Sequence, residues 1–211
     1  MAGKDSSKEV TEPKTGTKKK RKGNPGKGSN FERELAKTLS LWASGGQHDD
    51  WIWRTAGSGG RAKNRAKQGK TTQNSYGDLK PEHKEAFFLF EHCVFEAKNG
   101  YKGWCILDVI DSIKERKNQK TQKIQTIEAF AIQVKQDCEN AKAKYPVIIT
   151  KKDKHEKVIW IPRPLFKLLR PFLDFPYILF SGNEKMGSYV ALNFDLFFSR
   201  ITPEIFKENV K

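Results

Sequence analysis

Almost no apolar side chains occur in residues 1–28, so this stretch cannot bury enough surface to fold by itself. From Ser29 onward the pattern changes. Phe31, Leu35, Leu39 and Trp42 recur at helical spacing, Ser29-Asn30-Phe31-Glu32 reads as a capping box that opens the helix, and Gly45-Gly46 reads as its stop. Trp51–Thr55 has strand character. Residues 57–75 then carry Gly, Lys and Arg with no apolar content, which is long for a connection and points to a functional or disordered loop. Tyr76–Leu79 reads as a short strand end, and Phe87–Lys98 as a strand stopped by Gly100. Helices are predicted over Trp104–Ile113 and Ile124–Ala143, the second with Ile127, Phe130, Ala131 and Val134 on one side. Tyr145–Thr150 and Lys157–Ile161 form a hairpin over a polar turn, Pro162 opens a helix running to Leu173, and the last forty residues suggest a short strand pair and a helix near Phe194. No internal repeat is present. The order α-β-β-β-α-β-β predicts an α/β fold with a mixed central sheet flanked by helices.

Composition adds the first functional information. The 211 residues carry a formal charge of +15 with a pI near 9.7, an excess that implies a polyanionic partner, most often nucleic acid. No run approaches the roughly 20 apolar residues of a membrane span, and the polar N-terminus lacks the apolar segment of a secretory signal. Cys93, Cys105 and Cys138 are odd in number and lack paired spacing for zinc or a disulfide framework. These features favour an intracellular compartment, the cytoplasm in a prokaryotic host or the nucleus in a eukaryotic one. The run Lys18-Lys19-Lys20-Arg21-Lys22 makes the N-terminus a basic arm, read either as a solvated tail or as a clamp on phosphates. Trp51, Trp53 and Trp104 are expected in the core, although each could stack on an unpaired base.

Chemistry concentrates at Asp78 and at Glu96-Ala97-Lys98. Alternate strand residues point to opposite faces, so Glu96 and Lys98 share one face. A segment carrying Asp78 beside that strand would bring two carboxylates and an ammonium together. Hard oxygen ligands suit Mg²⁺, with Mn²⁺ as a substitute. The competing reading is a cross-strand salt bridge. Against it, Cys93-Val94-Phe95 makes the strand apolar right up to Glu96, where an unpaired charge is costly without a function.

The chain resembles the archaeal-type Holliday junction resolvases of the PD-(D/E)xK nucleases over residues 18 to 170. The likeness starts with Lys19-Lys20-Arg21-Lys22-Gly23 ahead of Gly28-Ser29-Asn30-Phe31-Glu32-Arg33. It runs on through Arg54-Thr55-Ala56-Gly57-Ser58-Gly59, Asp78, Glu96-Ala97-Lys98 and Gln133-Val134, to Tyr145-Pro146-Val147-Ile148 and Val158-Ile159-Trp160-Ile161-Pro162. The resemblance implies a restriction-endonuclease-like core. It also implies catalytic roles for Glu32, Asp78, Glu96, Lys98 and Gln133, with Glu32, Asp78 and Glu96 holding Mg²⁺. It further implies DNA contacts from Lys19, Lys20, Arg21, Lys22, Arg54, Ser58, Arg61, Lys63, Arg65 and Lys67. Two departures stand out: Gly77 precedes the Asp where the family has Pro, and Pro81–Glu91 reads as an insertion.

The implied organisation is a basic arm (1–28), a nuclease domain (29–170) and a C-terminal extension (171–211) packed on that domain or at a dimer interface. The implied activity is Mg²⁺-dependent hydrolysis of branched DNA such as four-way junctions. The two-fold symmetry of a four-way junction calls for a homodimer, with the Phe-rich C-terminal part supplying its apolar interface. Two alternatives stay open: a nuclease of the same class acting on ordinary duplex, and a basic nucleic-acid binder whose acidic pair is structural.

Overall fold

The structure, a computed structural model, describes residues 27–55, 76–100, 127–182 and 184–211. Helix α1 (Lys27–Ala43) buries Phe31, Leu35, Ala36 and Leu39, the periodic positions of the sequence. It starts before Ser29, so Ser29 is a helical residue and not its cap, and Glu32 is not the acid of a capping box. Ser29 and Asn30 instead lie within reach of the Arg33 guanidinium one turn on, at 3.5 and 3.0 Å. The end is as expected. Gly45 and Gly46 take positive φ angles of 63° and 88°, and their N–H groups donate to Trp42 and Leu41 carbonyls, a Schellman closure.

A two-stranded antiparallel ribbon follows, β1 (Ile52–Arg54) against β2 (Leu79–Pro81). The buried Ser40 hydroxyl ties it to α1 by accepting from the Ile52 N–H at 2.8 Å and donating to the Ala36 carbonyl at 2.8 Å. The expected strand from Phe87 onward begins with a helical turn, α2 (Phe87–Phe90), and only Cys93–Asn99 is extended as β3. The reason lies in Leu89 and Phe90, which face the same core from this turn as β3 does from its strand.

The main sheet has the order β3-β4-β5-β7-β6. Strands β4 (Tyr145–Lys151) and β5 (Lys157–Pro162) form the anticipated hairpin, and β3 runs parallel to β4. Helix α3 (Ile127–Ala141) connects back to this parallel pair and packs on both strands. Pro162 is the N-cap of α4 (Arg163–Leu169), which gives way to a 3₁₀ turn at Arg170–Phe172. Residues 171–211 contribute β6 (Ile178–Ser181) and β7 (Ser188–Asn193), with β7 hydrogen-bonded to β5 inside the sheet. Two helices close the chain, α5 (Phe194–Arg200) and α6 (Pro203–Asn209), capped by the side chains of Asn193 and Thr202.

Both faces of the sheet are apolar. Phe95, Val147, Ile149, Ile159, Ile161, Val190 and Leu192 pack with α1 and the C-terminal helices on one side. Val94, Ile148, Trp160, Tyr189 and Ala191 pack with Phe130, Ala131 and Val134 of α3 on the other. In the Phe-rich C-terminal extension, expected to pack on the nuclease domain or at a dimer interface, Phe194, Phe197 and Phe206 are buried. The exposed apolar side chains of that region are Leu168, Phe172, Tyr177, Ile178, Leu179 and Leu196.

Candidate active site

Three elements meet beside β3. Asp78 stitches the small ribbon to the main sheet: its N–H donates to the Phe95 carbonyl at 2.8 Å and its own carbonyl accepts from the Thr55 N–H at 2.8 Å. Its carboxylate then caps β3, accepting from the Ala97 N–H at 2.8 Å. Gly77 makes this approach possible. Its φ is 75°, and a Cβ there would lie 2.5 Å from the Phe95 carbonyl oxygen and 2.8 Å from Val94. Pro, locked near −65°, cannot stand at this position, which accounts physically for the departure from the resolvase pattern.

Along β3 the residues alternate as strand geometry requires: Phe95 turns into the layer shared with α1, while Val94 and Glu96 turn toward α3. Glu96 is 1% exposed. Its Oε1 receives the Lys98 ammonium from the same face and the Gln133 amide of α3 at 2.6 Å. The Lys98 ammonium also lies 5.2 Å from the Phe130 ring centre. Burial is the main force raising the Glu96 pKa, to about 7, with the negative charge of Asp78 adding to it and Lys98 opposing it. Asp137, one turn beyond Gln133, pushes in the same upward direction. The sequence reading had not singled out Asp137, because a single Asp on an amphipathic helix looks like any solvated acid.

Glu32 reaches the same centre from α1. Burial raises its pKa first and the charge of Asp78 second, while Arg54 and Lys98 pull it down. The Arg54 Nε lies 3.1 Å from Glu32 Oε2, yet neither buried atom has an aligned hydrogen-bond partner, so the contact is Coulombic. The Thr55 hydroxyl, adjacent in the chain and buried, is also unpartnered. The Arg54 guanidinium thus lies against Glu32.

The structure therefore brings Glu32, Asp78, Glu96, Lys98, Gln133 and Arg54 together. Lys19, Lys20, Arg21, Lys22, Ser58, Arg61, Lys63, Arg65 and Lys67 lie outside the described residues, as do Trp104 and Cys105. Among the described residues, no group of three or more Asp, Glu, His or Cys side chains is arranged, as it stands, to hold a metal ion. The acids are held instead by Lys98, Gln133 and the Ala97 amide. The donors are nonetheless of the kind a hard divalent cation takes: three carboxylates, Glu32, Asp78 and Glu96, with the Glu32 Oε2 atom buried and lacking a hydrogen bond. No helix of the described residues is long and apolar enough to cross a membrane.

The Trp residues divide. Trp42 donates its indole N–H to the Ile201 carbonyl at 2.7 Å, Trp160 donates to Thr150 at 2.9 Å, and Trp51 is stacked between His48 and His83. Trp53 departs from the expected core position: it is 46% exposed because alternation on β1 sends Ile52 inward and its neighbour out.

Among protein families, one described as "phage putative PDDEXK endonuclease" matches residues 23–208. No curated protein and no solved structure matches the chain. The family match extends beyond residue 170, where the resolvase likeness stops, and takes in β6, β7 and both terminal helices.

Proposed function

The chain belongs to the family of phage PDDEXK endonucleases, and we propose that it is a Mg²⁺-dependent, structure-selective DNA endonuclease that cuts branched DNA such as four-way junctions, the branch preference being taken from the resemblance of its motifs to junction resolvases. The observation that carries the catalytic part is the convergence on β3: the Asp78 carboxylate on the Ala97 amide, with Glu96 and Lys98 flanking that residue and Glu32 electrostatically coupled to the same acids.

Glu32, Asp78 and Glu96 would hold the cation, with Mn²⁺ able to substitute for Mg²⁺. When bound, it supplies positive charge against the phosphodiester oxygens and favours ionisation of water. The remaining roles belong to the chain. Lys98, three-donor and cationic, orients the attacking water and offsets charge growing on the phosphate. Gln133 fixes the direction of the Glu96 carboxylate through its 2.6 Å hydrogen bond, so it is a positioning residue. Arg54, 3.1 Å from Glu32, holds that acid by charge attraction without a directional hydrogen bond. The basic arm (Lys19, Lys20, Arg21, Lys22) and the loop residues Arg61, Lys63, Arg65 and Lys67 would track phosphates without reading sequence. Ser58 would lie along the cleaved strand. A two-fold symmetric junction cut on both sides requires two such centres, hence a homodimer.

A cleavage assay comparing four-way junction, flap and linear duplex at one salt concentration tests this reading, with Asp78→Ala as control. The wild type should nick the junction in Mg²⁺ in preference to duplex. Asp78→Ala and Glu96→Ala should each lose at least about a thousandfold in rate while still binding the junction, the scale expected for removing a group central to phosphoryl-transfer electrostatics. Full cleavage by both variants would remove the assignment of the centre, and equal cutting of junction and duplex would remove the branch preference.

A further inference from the structure

We propose that Trp53 is a stacking platform for an unpaired or unstacked nucleobase next to the cleavage centre, and that it gives the enzyme its preference for branched over continuous DNA. This rests on the nuclease reading above and deepens it by assigning a residue to substrate choice.

The argument starts from the ribbon register. Trp53 pairs with Lys80, Arg54 pairs with Leu79, and the Thr55 N–H donates to the Asp78 carbonyl. Cross-strand partners share a face and alternate residues return to it, so Trp53, Lys80, Thr55 and Asp78 occupy one face of the ribbon. The opposite face carries Ile52 and Leu79 into the core and Arg54 toward Glu32. Trp53 therefore stands one same-face row from Asp78, roughly 7 Å along the strand. That is about two base steps of B-form DNA at 3.4 Å per step. A phosphate engaged at Asp78 and Glu96 would place a base only one or two nucleotides away within reach of the indole.

The indole itself is left open. Each of the other Trp side chains in the described residues is consumed by the fold, two through their N–H groups and one between two imidazoles. Among the described residues, no aromatic ring stacks on Trp53, and at 46% exposure it presents a large apolar face to solvent. That face is available for a ring to cover, and covering it would contribute to binding. Lys80, its cross-strand partner, is paired with Glu82 at 2.5 Å. A flat, open aromatic surface suits a nucleobase. Continuous duplex keeps its bases stacked on one another and has none to offer. A branch point has bases whose stacking partner is missing, and so does a single strand.

The test uses the full chain at one salt concentration with Trp53→Ala and Trp53→Phe. Cleavage is measured on a four-way junction and on a linear duplex of the same sequence. Binding is measured separately in an Asp78→Ala background, using junction, single strand and duplex that carry 2-aminopurine at or near the position of the branch, so that stacking is read as quenching independently of catalysis. Stacking of this kind predicts a tenfold or greater loss on the junction for Trp53→Ala, under twofold loss on duplex, and near-recovery in Trp53→Phe. It also predicts quenching by the parent Asp78→Ala protein that disappears when Trp53 is also Ala. Equal losses on junction and duplex, or quenching that survives removal of the indole, would overturn the proposal. Quenching of the single strand but not of the junction would overturn its branch-selecting role. A wild type that cuts no DNA would fail the nuclease reading, while the quenching experiment would still decide the stacking.

Discussion

At the scale of single residues, Gly77 and Glu96 carry the strongest consequences. Gly77 combines a left-handed φ with contact to the β3 backbone, two demands that only a residue without a Cβ satisfies. Gly77→Ala should destabilise the protein by about 2–4 kcal/mol, from strain and from displacement of Asp78, seen as a lowered midpoint in urea unfolding with unchanged slope. Its cleavage rate should fall further than the loss of folded protein explains. For Glu96 the effect is one of pH. In chelator its folded-state pKa lies near 7, above the ordinary 4.5, so the folded chain holds a proton that the unfolded chain gives up sooner. The contribution to stability from this group is fully present below 4.5 and is lost as pH rises through about 7. Glu96→Gln should therefore stabilise the protein at pH 8 by on the order of 2–3 kcal/mol and converge with wild type toward pH 4.5. A melting-temperature difference independent of pH would contradict the buried, charge-opposed setting of Glu96.

At the scale of elements, α1 and α3 clamp β3 from opposite sides and bring one polar side chain each to its end, Glu32 and Gln133. The helices are held by ordinary core contacts, so core and site are coupled. Leu39→Ala on α1, fully buried, should cost about 2–5 kcal/mol. Gln133→Ala removes no core volume and should leave the melting temperature within about 2 °C of wild type while lowering cleavage roughly tenfold or more, because Glu96 loses its lateral anchor. Thermal melts and single-turnover rates measured side by side separate the two kinds of loss.

At the scale of the whole molecule, the net charge of +15 is spread along the chain, with Lys19, Lys20, Arg21 and Lys22 concentrating part of it near the N-terminus. Removing residues 1–26 should reduce the steepness of log affinity against log salt on junction DNA by several units, each phosphate contact contributing about 0.9 to the slope. Cleavage chemistry at saturating DNA should change little. The expected homodimer is checked by sedimentation of the full chain. Its apolar surface is sought not in the buried Phe residues but around Tyr177, Ile178 and Leu179 on the outer strand β6.

Much of this was legible from local pattern alone. Phe31, Leu35 and Leu39 announced the face of α1, the 145–161 hairpin followed from alternation and a polar turn, and the order of Asp78, Glu96 and Lys98 pointed to the chemistry. Such features depend on periodicity, which short-range geometry imposes on any chain that must bury one face. Other features depend on what a residue meets across the fold, and no local rule reaches them. The helical turn at Phe87–Phe90, the Arg54–Glu32 contact and the buried C-terminal Phe residues all belong to this group. The sequence by itself determined the α/β alternation, the basic character and the candidate acids. Only the tertiary structure decided that Gly77 lets Asp78 seat on β3 and that Gln133 and Glu32 close on the same acids, because each of these is a contact between segments far apart in the chain.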